Sequence, residues 1–441
     1  MKKSMLKILC CLICVLLATT ACANAPGGGG SGQAGGNAAS AKPVKLTMWH
    51  IWSSETGAAN KHPIYGALDA LKKAYPNIVV EDESVENDAF KIKIKTAMAA
   101  DEGPDLFYTW VPGFSSPFVN AGKVLCLDKY IDNETKEKLL PGSLGNVTYD
   151  GKVYGMPGDS WMGLMFYNTE LFEQCGLEIP KTYDDFKNVM ASFIAKDVKP
   201  MSIGLKDNWF VGQLHNTIVA QTFGVSNIYD AIFGKGSAKF TDASFIESAV
   251  KLLDVLDATG ETRETLFGLG YEEMGSAFQQ GKAAMIFDGS WMAGQWAGDG
   301  SAVKDKFTCG YFPQIIPGPI SMGGGSSGAF MATSKTKYPA EAATAVKVIS
   351  ENFSKSSYEG GFGLPSWNVS VDESALLKIT VEMAEVSKKG SAFTLNFDTI
   401  MEPAPANEYL GFLMELCAGS LTPEVFAQRV QGAVDAGLAS K

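Results

Sequence analysis

The sequence predicts an α/β protein of two domains, in which mainly parallel sheets are flanked by helices. Strand and helix patterns alternate in the first part of the body, between residues 44 and 110. Apolar residues make up 46% of the chain and aromatic residues 11%, which excludes a disordered chain. Roughly 400 residues remain after an N-terminal signal, which is more than one hydrophobic core usually serves.

The N-terminus has the three parts of a secretory signal. Lys2, Lys3 and Lys7 precede an apolar run at residues 8–18, and small residues lead to Cys22. Because a membrane span needs about 20 apolar residues, this short run predicts a signal at residues 1–21. Residues 22–44 are rich in Gly, Ala, Ser and Asn and predict a flexible linker. We expect lipidation of Cys22; ordinary secretion with an incidental thiol is the alternative.

The elements of the body follow from apolar spacing. Alternating residues at 44–49 predict a strand, residues 64–75 a helix that stops before Pro76, and residues 78–80 a second strand. Residues 90–98 predict another helix, and residues 105–110 a third strand. Such alternation calls for parallel strands with helices on both faces. Ligands of these sheets sit at the carboxyl ends of strands, where Trp49, Trp52 and Trp110 fall.

Charge and metal-binding residue types exclude several functions. Three of the 37 basic residues lie in the signal, so 34 remain against 48 acidic residues, a formal charge of −14. Such a surface repels nucleic acid and anionic lipid. The three histidines lack a second ligand at metal spacing, so no zinc site is expected. Four cysteines of the body, Cys126, Cys175, Cys309 and Cys417, form disulfides or remain buried thiols.

A GxGxxG pattern at residues 323–328 matches the dinucleotide fingerprint on paper. That fingerprint requires a helix directly after it, whereas residues 329–333 predict a strand. We therefore expect no cofactor. Small residues that let the backbone approach a ligand, Gly324 among them, are the better interpretation.

Several motifs occur in a fixed order along nearly all of residues 45–441. They are GPDL at 103–106, AGKVL at 121–125, YDGKVYGMP at 149–157, FYNTELF at 166–172, PKTYDDF at 180–186, GKAAM at 281–285, GSW at 289–291 and GGG at 323–325. This ordered set resembles the extracellular solute-binding proteins of ATP-driven sugar importers, of the maltose- and oligosaccharide-binding type.

The resemblance implies a two-lobed periplasmic-binding-protein-like fold of type II with a cleft between the lobes. Residues 45–157 and 312–363 are expected in lobe 1, and residues 158–311 and 364–441 in lobe 2. The chain would cross between the lobes near residues 156–159, 310–313 and 360–365, where Gly or Pro interrupts the pattern.

A neutral sugar has apolar faces and a rim of hydroxyl groups. An indole ring can cover such a face, which is worth about 2 kcal/mol for about 80 Å², and every buried hydroxyl needs a partner. By the resemblance, tryptophans beside Gly, Ser or Asp would line the cleft, with carboxylates as hydroxyl acceptors. The predicted ligand-binding residues are Trp52, Glu55, Trp110, Asp159, Trp161, Asp288, Trp291, Gly324 and Trp367. Trp209 and Trp296 are expected to pack.

These observations predict a non-enzymatic binding protein that captures a mono- or oligosaccharide by hinge closure and delivers it to the permease of an ABC importer. It would be a monomer, lipid-anchored at the extracellular face of a bacterial membrane, or on the periplasmic side if a second membrane is present. A secreted glycosidase is the alternative, since it also uses aromatic residues and carboxylates. A binder of peptides, polyamines or metal is disfavoured by the tryptophan placement.

Overall fold

The structure is a computed structural model that describes residues 42–52 and 62–439. The predicted signal, the lipidation site at Cys22 and Glu55 lie outside the described residues. Within them, no helix combines the length and apolar character needed to cross a membrane.

The described chain contains short strands and mostly longer helices. The strands are β1 (Val44–His50), β2 (Ile78–Ser84), β3 (Leu106–Trp110), β4 (Thr148–Tyr149), β5 (Lys152–Val153), β6 (Gly155–Pro157), β7 (Asp159–Asn168), β8 (Met201–Ser202), β9 (Met285–Gly289), β10 (Phe307–Gly310), β11 (Ile320–Gly325), β12 (Gly328–Ala332), β13 (Leu364–Pro365) and β14 (Gly390–Thr394). The helices are α1 (Pro63–Ala74), α2 (Asn87–Ala99), α3 (Ser116–Asn120), α4 (Asn133–Glu137), α5 (Thr169–Cys175), α6 (Tyr183–Ile194), α7 (Asn208–Val219), α8 (Val225–Phe233), α9 (Ala243–Ala258), α10 (Arg263–Gly268), α11 (Tyr271–Gln279), α12 (Ala293–Trp296), α13 (Pro339–Gly360), α14 (Lys378–Lys389), α15 (Phe397–Ile400), α16 (Pro403–Cys417) and α17 (Pro423–Ala439).

The first sheet has the strand order β2-β1-β3-β12-β6. Its β1, β2 and β3 are parallel, as the strand and helix alternation predicts. The other half of this sheet is antiparallel, because β12 runs against both β3 and β6. The expectation of a mainly parallel sheet is therefore wrong for this lobe, and the sheet is mixed. Local periodicity identifies strands, but it carries no information on the direction in which a returning segment joins them.

The second sheet has the order β14-β11-β7-β9-β8, with β10 and β13 also paired to β7. Strand β7 is its centre and is buried almost throughout, as expected of a strand covered on both faces. It runs antiparallel to β9, β10, β11 and β13. Parallel pairing is limited to β8 with β9 and β11 with β14. This sheet is also mixed rather than mainly parallel.

The chain changes sheet at points that only partly agree with the expected crossings. It leaves the first sheet after β6 and enters the second with β7, between Pro157 and Asp159. The return was expected near residues 310–313, but β11 still belongs to the second sheet, and β12 is the first strand back in the first sheet. The expected position is wrong because residues 320–325 extend the second sheet before the chain crosses. This second crossing lies between Gly325 and Gly328.

Each sheet has its own hydrophobic core. One core gathers the buried side chains of β1, β3, β12, α1, α2 and α13, and the other gathers those of β7, β9, α7, α9, α16 and α17. Apolar residues recur at helical spacing in α9 (Phe245, Ala249, Leu252 and Leu256) and in α17 (Phe426, Val430, Ala433 and Val434), and both stripes are buried. The two lobes therefore correspond to two separately packed cores.

The lobes touch along a second line besides the crossings. The amide of Gly113, just after β3, donates to the carbonyl of Thr399 in α15 over 2.7 Å. The hydroxyl of Ser116 in α3 donates to the carboxylate of Glu402 over 2.8 Å. Because Gly113 and Ser116 belong to the first lobe and Thr399 and Glu402 to the second, these bonds join the lobes directly.

Candidate ligand site at the junction of the lobes

A patch of the second sheet is built from glycines. Gly163 of β7 pairs with Gly289 of β9, and Gly323 lies in the neighbouring strand β11. A Cβ atom on Gly289 would lie 2.3 Å from the ring of Trp291, and one on Gly323 would lie 2.6 Å from Thr217 Oγ1. The glycines therefore let an indole and a helix side chain lie directly on the sheet.

Two tryptophans meet at this patch. The rings of Trp161 and Trp291 have centroids 5.4 Å apart and are tilted by 56°. Trp161 is 6% exposed, and its Nε1–H donates to Ser327 Oγ over 2.8 Å, in the segment that crosses back to the first lobe. Trp291 is half-buried. Of the two rings, Trp291 has the larger surface to offer a ligand, while Trp161 supports it.

A hydrogen-bonded chain runs behind Trp291. Its Nε1–H donates to Tyr271 Oη over 2.7 Å, and the Tyr271 hydroxyl donates to Asp288 Oδ1 over 2.8 Å. The amide of Gly289 donates to the same Oδ1 over 2.7 Å. Asp288 Oδ2 is buried and has no hydrogen-bond partner among the described residues. Asp288 was expected to accept a sugar hydroxyl, but Oδ1 already accepts from two donors and Oδ2 is enclosed by the protein.

Burial dominates the titration of Asp288. Desolvation raises its pKa from 3.8 to about 8, against the hydrogen bonds from Tyr271 and Gly289, and the nearby Glu272 raises it further. Glu272 itself has a raised pKa, because of burial first and then the charges of neighbouring carboxylates, including Glu86 of the first lobe. The start of α11 therefore lies close to the start of α2 in the other lobe.

Replacing Asp288 by asparagine should stabilise the protein more at alkaline than at acidic pH. The pKa of this carboxyl group is higher in the folded than in the unfolded protein. Its contribution to the free energy of unfolding is therefore full below the unfolded-state pKa, about 4, and is lost as the pH rises through the folded-state pKa, about 8. An amide stays neutral over that range. We expect the melting temperature of Asp288→Asn relative to wild type to increase between about pH 5 and about pH 9. A difference in melting temperature that stays the same across this pH range would contradict burial of an ionisable carboxyl group at position 288.

Substituting Gly289 by alanine should displace the indole of Trp291. The backbone at Gly289 is in the extended region, which alanine adopts without strain, and the three heavy atoms nearest to the added Cβ all belong to the Trp291 ring. We expect an altered near-ultraviolet circular dichroism spectrum and weaker sugar binding by at least about fivefold, or ~1 kcal/mol. Gly411→Ala is the matched control, because a Cβ there meets nothing within 4 Å. Unchanged spectra would show that the ring does not rest on Gly289.

The first lobe contributes an aromatic cluster around Trp52. Its ring stacks on His62 at 4.7 Å and lies 4.5 Å from Tyr108 and 5.0 Å from Phe353. Burial and the neighbouring His50 lower the pKa of His62 to about 3, so His62 is neutral at physiological pH. Trp52 is half-buried and packed by the protein's own rings, which leaves mainly an edge for a ligand.

Trp110 lies where the two lobes meet. The ammonium group of Lys91 sits 5.1 Å from the centre of its ring, and Tyr108 and Phe114 pack against it edge-on. Across the junction, burial raises the pKa of Asp398 in α15, while the positive charge of Lys91 lowers it. A cation, a half-buried indole and a carboxyl group from both lobes therefore converge here.

Asp159 opens β7 at the first crossing and is half-buried. Desolvation raises its pKa to about 7, and its charge contributes to the raised pKa of Tyr108 in the first lobe. A Cβ on Gly363 would lie 2.7 Å from Asp159 Oδ2. Asp159 is therefore placed between the lobes, as a hydroxyl acceptor would need to be.

Two predicted ligand residues have structural roles instead. Trp367 is 1% exposed, belongs to the core of the first lobe, and donates from Nε1 to Ser350 Oγ over 2.8 Å. Its assignment to the ligand site is wrong, because the loop after β13 turns back and inserts the ring into that core. At Gly324, a Cβ would lie 2.8 Å from the carbonyl oxygen of Trp161, so its small size serves strand packing rather than approach to a ligand.

Two polar residues beside the site were missed in the sequence, whereas Trp209 packs as expected. It is half-buried against the second-lobe core, with its ring 4.6 Å from Tyr271 and 6.5 Å from Trp291. Thr217 Oγ1 and both amide atoms of Gln213, one helical turn earlier in α7, are buried and lack hydrogen-bond partners among the described residues. No local spacing connects these residues with Trp291, so the sequence carries no signal for them. Trp296, fully buried, packs as expected.

The remaining expectations concern metals, thiols and other cavities. No group of three or more His, Cys, Asp or Glu side chains capable of holding a metal occurs in residues 42–52 and 62–439. Cys126, Cys175, Cys309 and Cys417 are free thiols. A polar cavity of about 580 Å³ lies beside the junction on α11 and α12, lined in part by Glu272, Gln279, Lys282 and Gln295.

Two α/β lobes joined by repeated crossings, with indoles and carboxyl groups at their junction, define a bilobed ligand-binding protein. The family model of the bacterial extracellular solute-binding proteins matches residues 58–352, and the chain belongs to this family.

Solved structures share the whole architecture. One, described in connection with xylan utilization by the thermophilic bacterium Caldanaerobius polysaccharolyticus, superposes with a TM-score of 0.83 at 34% identity and covers 88% of this chain and 99% of that one. A chitin oligosaccharide binding protein superposes with a TM-score of 0.78 at 26% identity, covering 90% and 99%.

Curated relatives match over shorter stretches. The multiple sugar-binding protein of Streptococcus mutans is 28% identical over 207 residues, which is 44% of this chain and 47% of that protein. A Brucella abortus relative is 26% identical over 265 residues, so the chain spans 61% of its length.

Proposed function

We propose that this protein captures a sugar or oligosaccharide between its lobes and hands it to the membrane permease of an ABC importer. The observation that carries the proposal is the half-buried indole of Trp291, laid on a glycine patch at the lobe junction beside buried polar atoms. An apolar sugar face can rest on that ring, and the unpartnered Thr217 Oγ1 at the glycine patch can receive a hydroxyl group. Stacking on one indole is worth about 2 kcal/mol.

Contacts from the first lobe favour closure on the ligand. Trp110 and Lys91 lie on that lobe, and Asp398 and Trp291 on the other, so a sugar between them touches both. Contacts that exist only when the lobes are together shift the equilibrium toward the closed form. Carboxyl groups such as Asp159 meet the sugar hydroxyls, since each hydroxyl taken from water needs a partner.

The chemical class of the ligand is supported by the related proteins. The names of those compared above refer to xylan utilization, chitin oligosaccharides and multiple sugars. We propose a β-linked oligosaccharide of the xylan or chitin type as the first candidate, because those two matches span nearly the whole chain. None of the three names describes an enzyme, so a glycosidase is not proposed.

The location of the protein is a separate proposal. The family is extracellular, and the N-terminal signal with Cys22 favours a lipid anchor at the outer face of the cell membrane. A mature chain bearing 34 basic and 48 acidic residues stays in solution above that surface. Monomeric protein is proposed, since one pair of lobes suffices to enclose a ligand.

Calorimetric titration with xylotriose, chitotriose, maltotriose and raffinose tests the proposal. We expect at least one sugar to bind with a Kd of roughly 1 μM, or about −8 kcal/mol, and the sugar to be recovered intact by chromatography. Binding of none of the four at millimolar concentration would contradict the proposal. Recovery of shorter sugars would establish an enzyme instead.

A further inference from the structure

The chain of hydrogen bonds behind Trp291 links three elements of the second lobe. Trp291 follows β9, Tyr271 starts α11, Asp288 lies near the end of β9, and Asp207 precedes α7. The Tyr271 amide donates to Asp207 Oδ2 over 2.7 Å, which anchors the start of α11. The Tyr271 hydroxyl then stands between the indole N–H and the carboxyl group of Asp288, at 2.7 and 2.8 Å.

The chemistry of the side chains determines which group donates and which accepts in this series of hydrogen bonds. An indole nitrogen can only donate, so the Tyr271 oxygen must accept from Trp291. The phenol proton is then directed at Asp288 Oδ1, which also receives the Gly289 amide. Each group can take only one donor or acceptor role. The hydrogen bond from the indole N–H to Tyr271 therefore fixes the rotation of the Trp291 ring.

The aromatic contacts of Trp291 leave its ring without a parallel stacking partner. Trp291 is half-buried, and its aromatic neighbours Trp161 and Trp209 lie at 5.4 and 6.5 Å with tilted rings. Gly289 of the glycine patch lies directly beneath the ring. The Tyr271 ring, by contrast, is held between Trp209 at 4.6 Å and Phe210 at 5.9 Å, so its hydroxyl is a rigid acceptor.

We propose that Tyr271 and Asp288 are positioning residues, which hold the indole of Trp291 in the orientation that stacks on the sugar. This inference rests on the proposed sugar-binding function. It differs from the expectation that Asp288 accepts a sugar hydroxyl directly. A positioning residue acts only through Trp291, whereas a direct acceptor contributes independently of it.

Double-mutant cycles separate these two roles. Tyr271→Phe keeps the packed ring and removes only the hydroxyl group, and Trp291→Phe keeps an aromatic face and removes only the N–H donor. With the tightest-binding sugar of the four-sugar panel as probe, we expect Tyr271→Phe and Asp288→Ala each to weaken binding by about five- to tenfold in the wild-type background. In the Trp291→Phe background, the same substitutions should change binding by less than about twofold.

A conservative variant and a sugar-free measurement complete the test. Asp288→Asn retains an acceptor oxygen and should recover most of the affinity that Asp288→Ala loses. In ¹H–¹⁵N spectra, the indole N–H signal that disappears in Trp291→Phe should exchange with solvent faster in Tyr271→Phe than in wild type.

The outcomes are distinguishable. Equal losses in both backgrounds would overturn the positioning role and make Asp288 a direct sugar contact. Unchanged affinity in the wild-type background, or unchanged indole exchange in Tyr271→Phe, would also overturn it. Failure of wild-type protein to bind any sugar would instead refute the proposed function, and the exchange measurement would still show whether Tyr271 holds the indole.

Discussion

Replacing Trp291 by alanine is expected to weaken sugar binding at least tenfold while the melting temperature stays nearly unchanged. The substitution removes a half-buried ring that rests on Gly289 and leaves the sheet beneath intact. A tenfold loss corresponds to about 1.4 kcal/mol, less than the full value of covering one sugar face. Tyr271 keeps its bond to Asp288, so no buried donor is left unpaired. Titration calorimetry and thermal unfolding of the same samples provide both numbers.

Trp49→Ala is the matched control for this prediction. Trp49 is also a half-buried tryptophan, but it lies on β1 beneath the ammonium group of Lys93, 3.9 Å from the ring centre. We expect Trp49→Ala to bind sugar as wild type does. Equal affinity of Trp291→Ala and wild type would remove Trp291 from the site.

Trp367→Ala is expected to have the opposite signature, a large loss of stability with unchanged sugar affinity. Its ring is almost fully buried in the first-lobe core, and its N–H donates to Ser350 Oγ and to the carbonyl of Pro157. Truncation of a buried tryptophan costs about 3–5 kcal/mol, because it removes apolar burial and leaves a cavity. Urea unfolding measures this loss, and titration at low temperature, where the variant remains folded, measures affinity.

Trp367→Phe separates the contribution of ring packing to stability from that of the indole hydrogen bonds. Phenylalanine retains most of the ring packing but removes the N–H from which Ser350 Oγ accepts, which costs about 0.5–1.5 kcal/mol. The carbonyl of Pro157 still accepts from the Ser350 hydroxyl. The phenylalanine variant should therefore lie between wild type and Trp367→Ala in stability. A tenfold loss of sugar affinity in either variant would return Trp367 to the ligand site and contradict the structural assignment.

Apolar periodicity identified the first elements of the body. It predicts β1, α1, α2 and β3 within a few residues, because their buried faces repeat at strand or helix spacing. The strand expected at residues 329–333 is confirmed as β12, but β11 was not predicted, because its glycines at 323–325 carry no periodic signal. The direction and sheet of these strands depend on partners more than a hundred residues away, such as β3 and β7.

The site was predictable in residue type more than in position. Nearby Gly, Ser or Asp residues predicted Trp161 and Trp291, and a strand end predicted Trp110; all three lie at the junction. The first rule wrongly included Trp367. Local sequence cannot show whether a loop tryptophan turns toward the junction or into a core. Tyr271 was missed because its role depends on a hydrogen bond to a residue twenty positions away.

The location of a bound sugar tests the central claim most directly. An electron-density map of the complex with the tightest-binding oligosaccharide should show a pyranose ring stacked on Trp291, with hydroxyl groups touching residues of both lobes. Density for the sugar in the polar cavity on α11 and α12, or anywhere else away from the lobe junction, would contradict the claim.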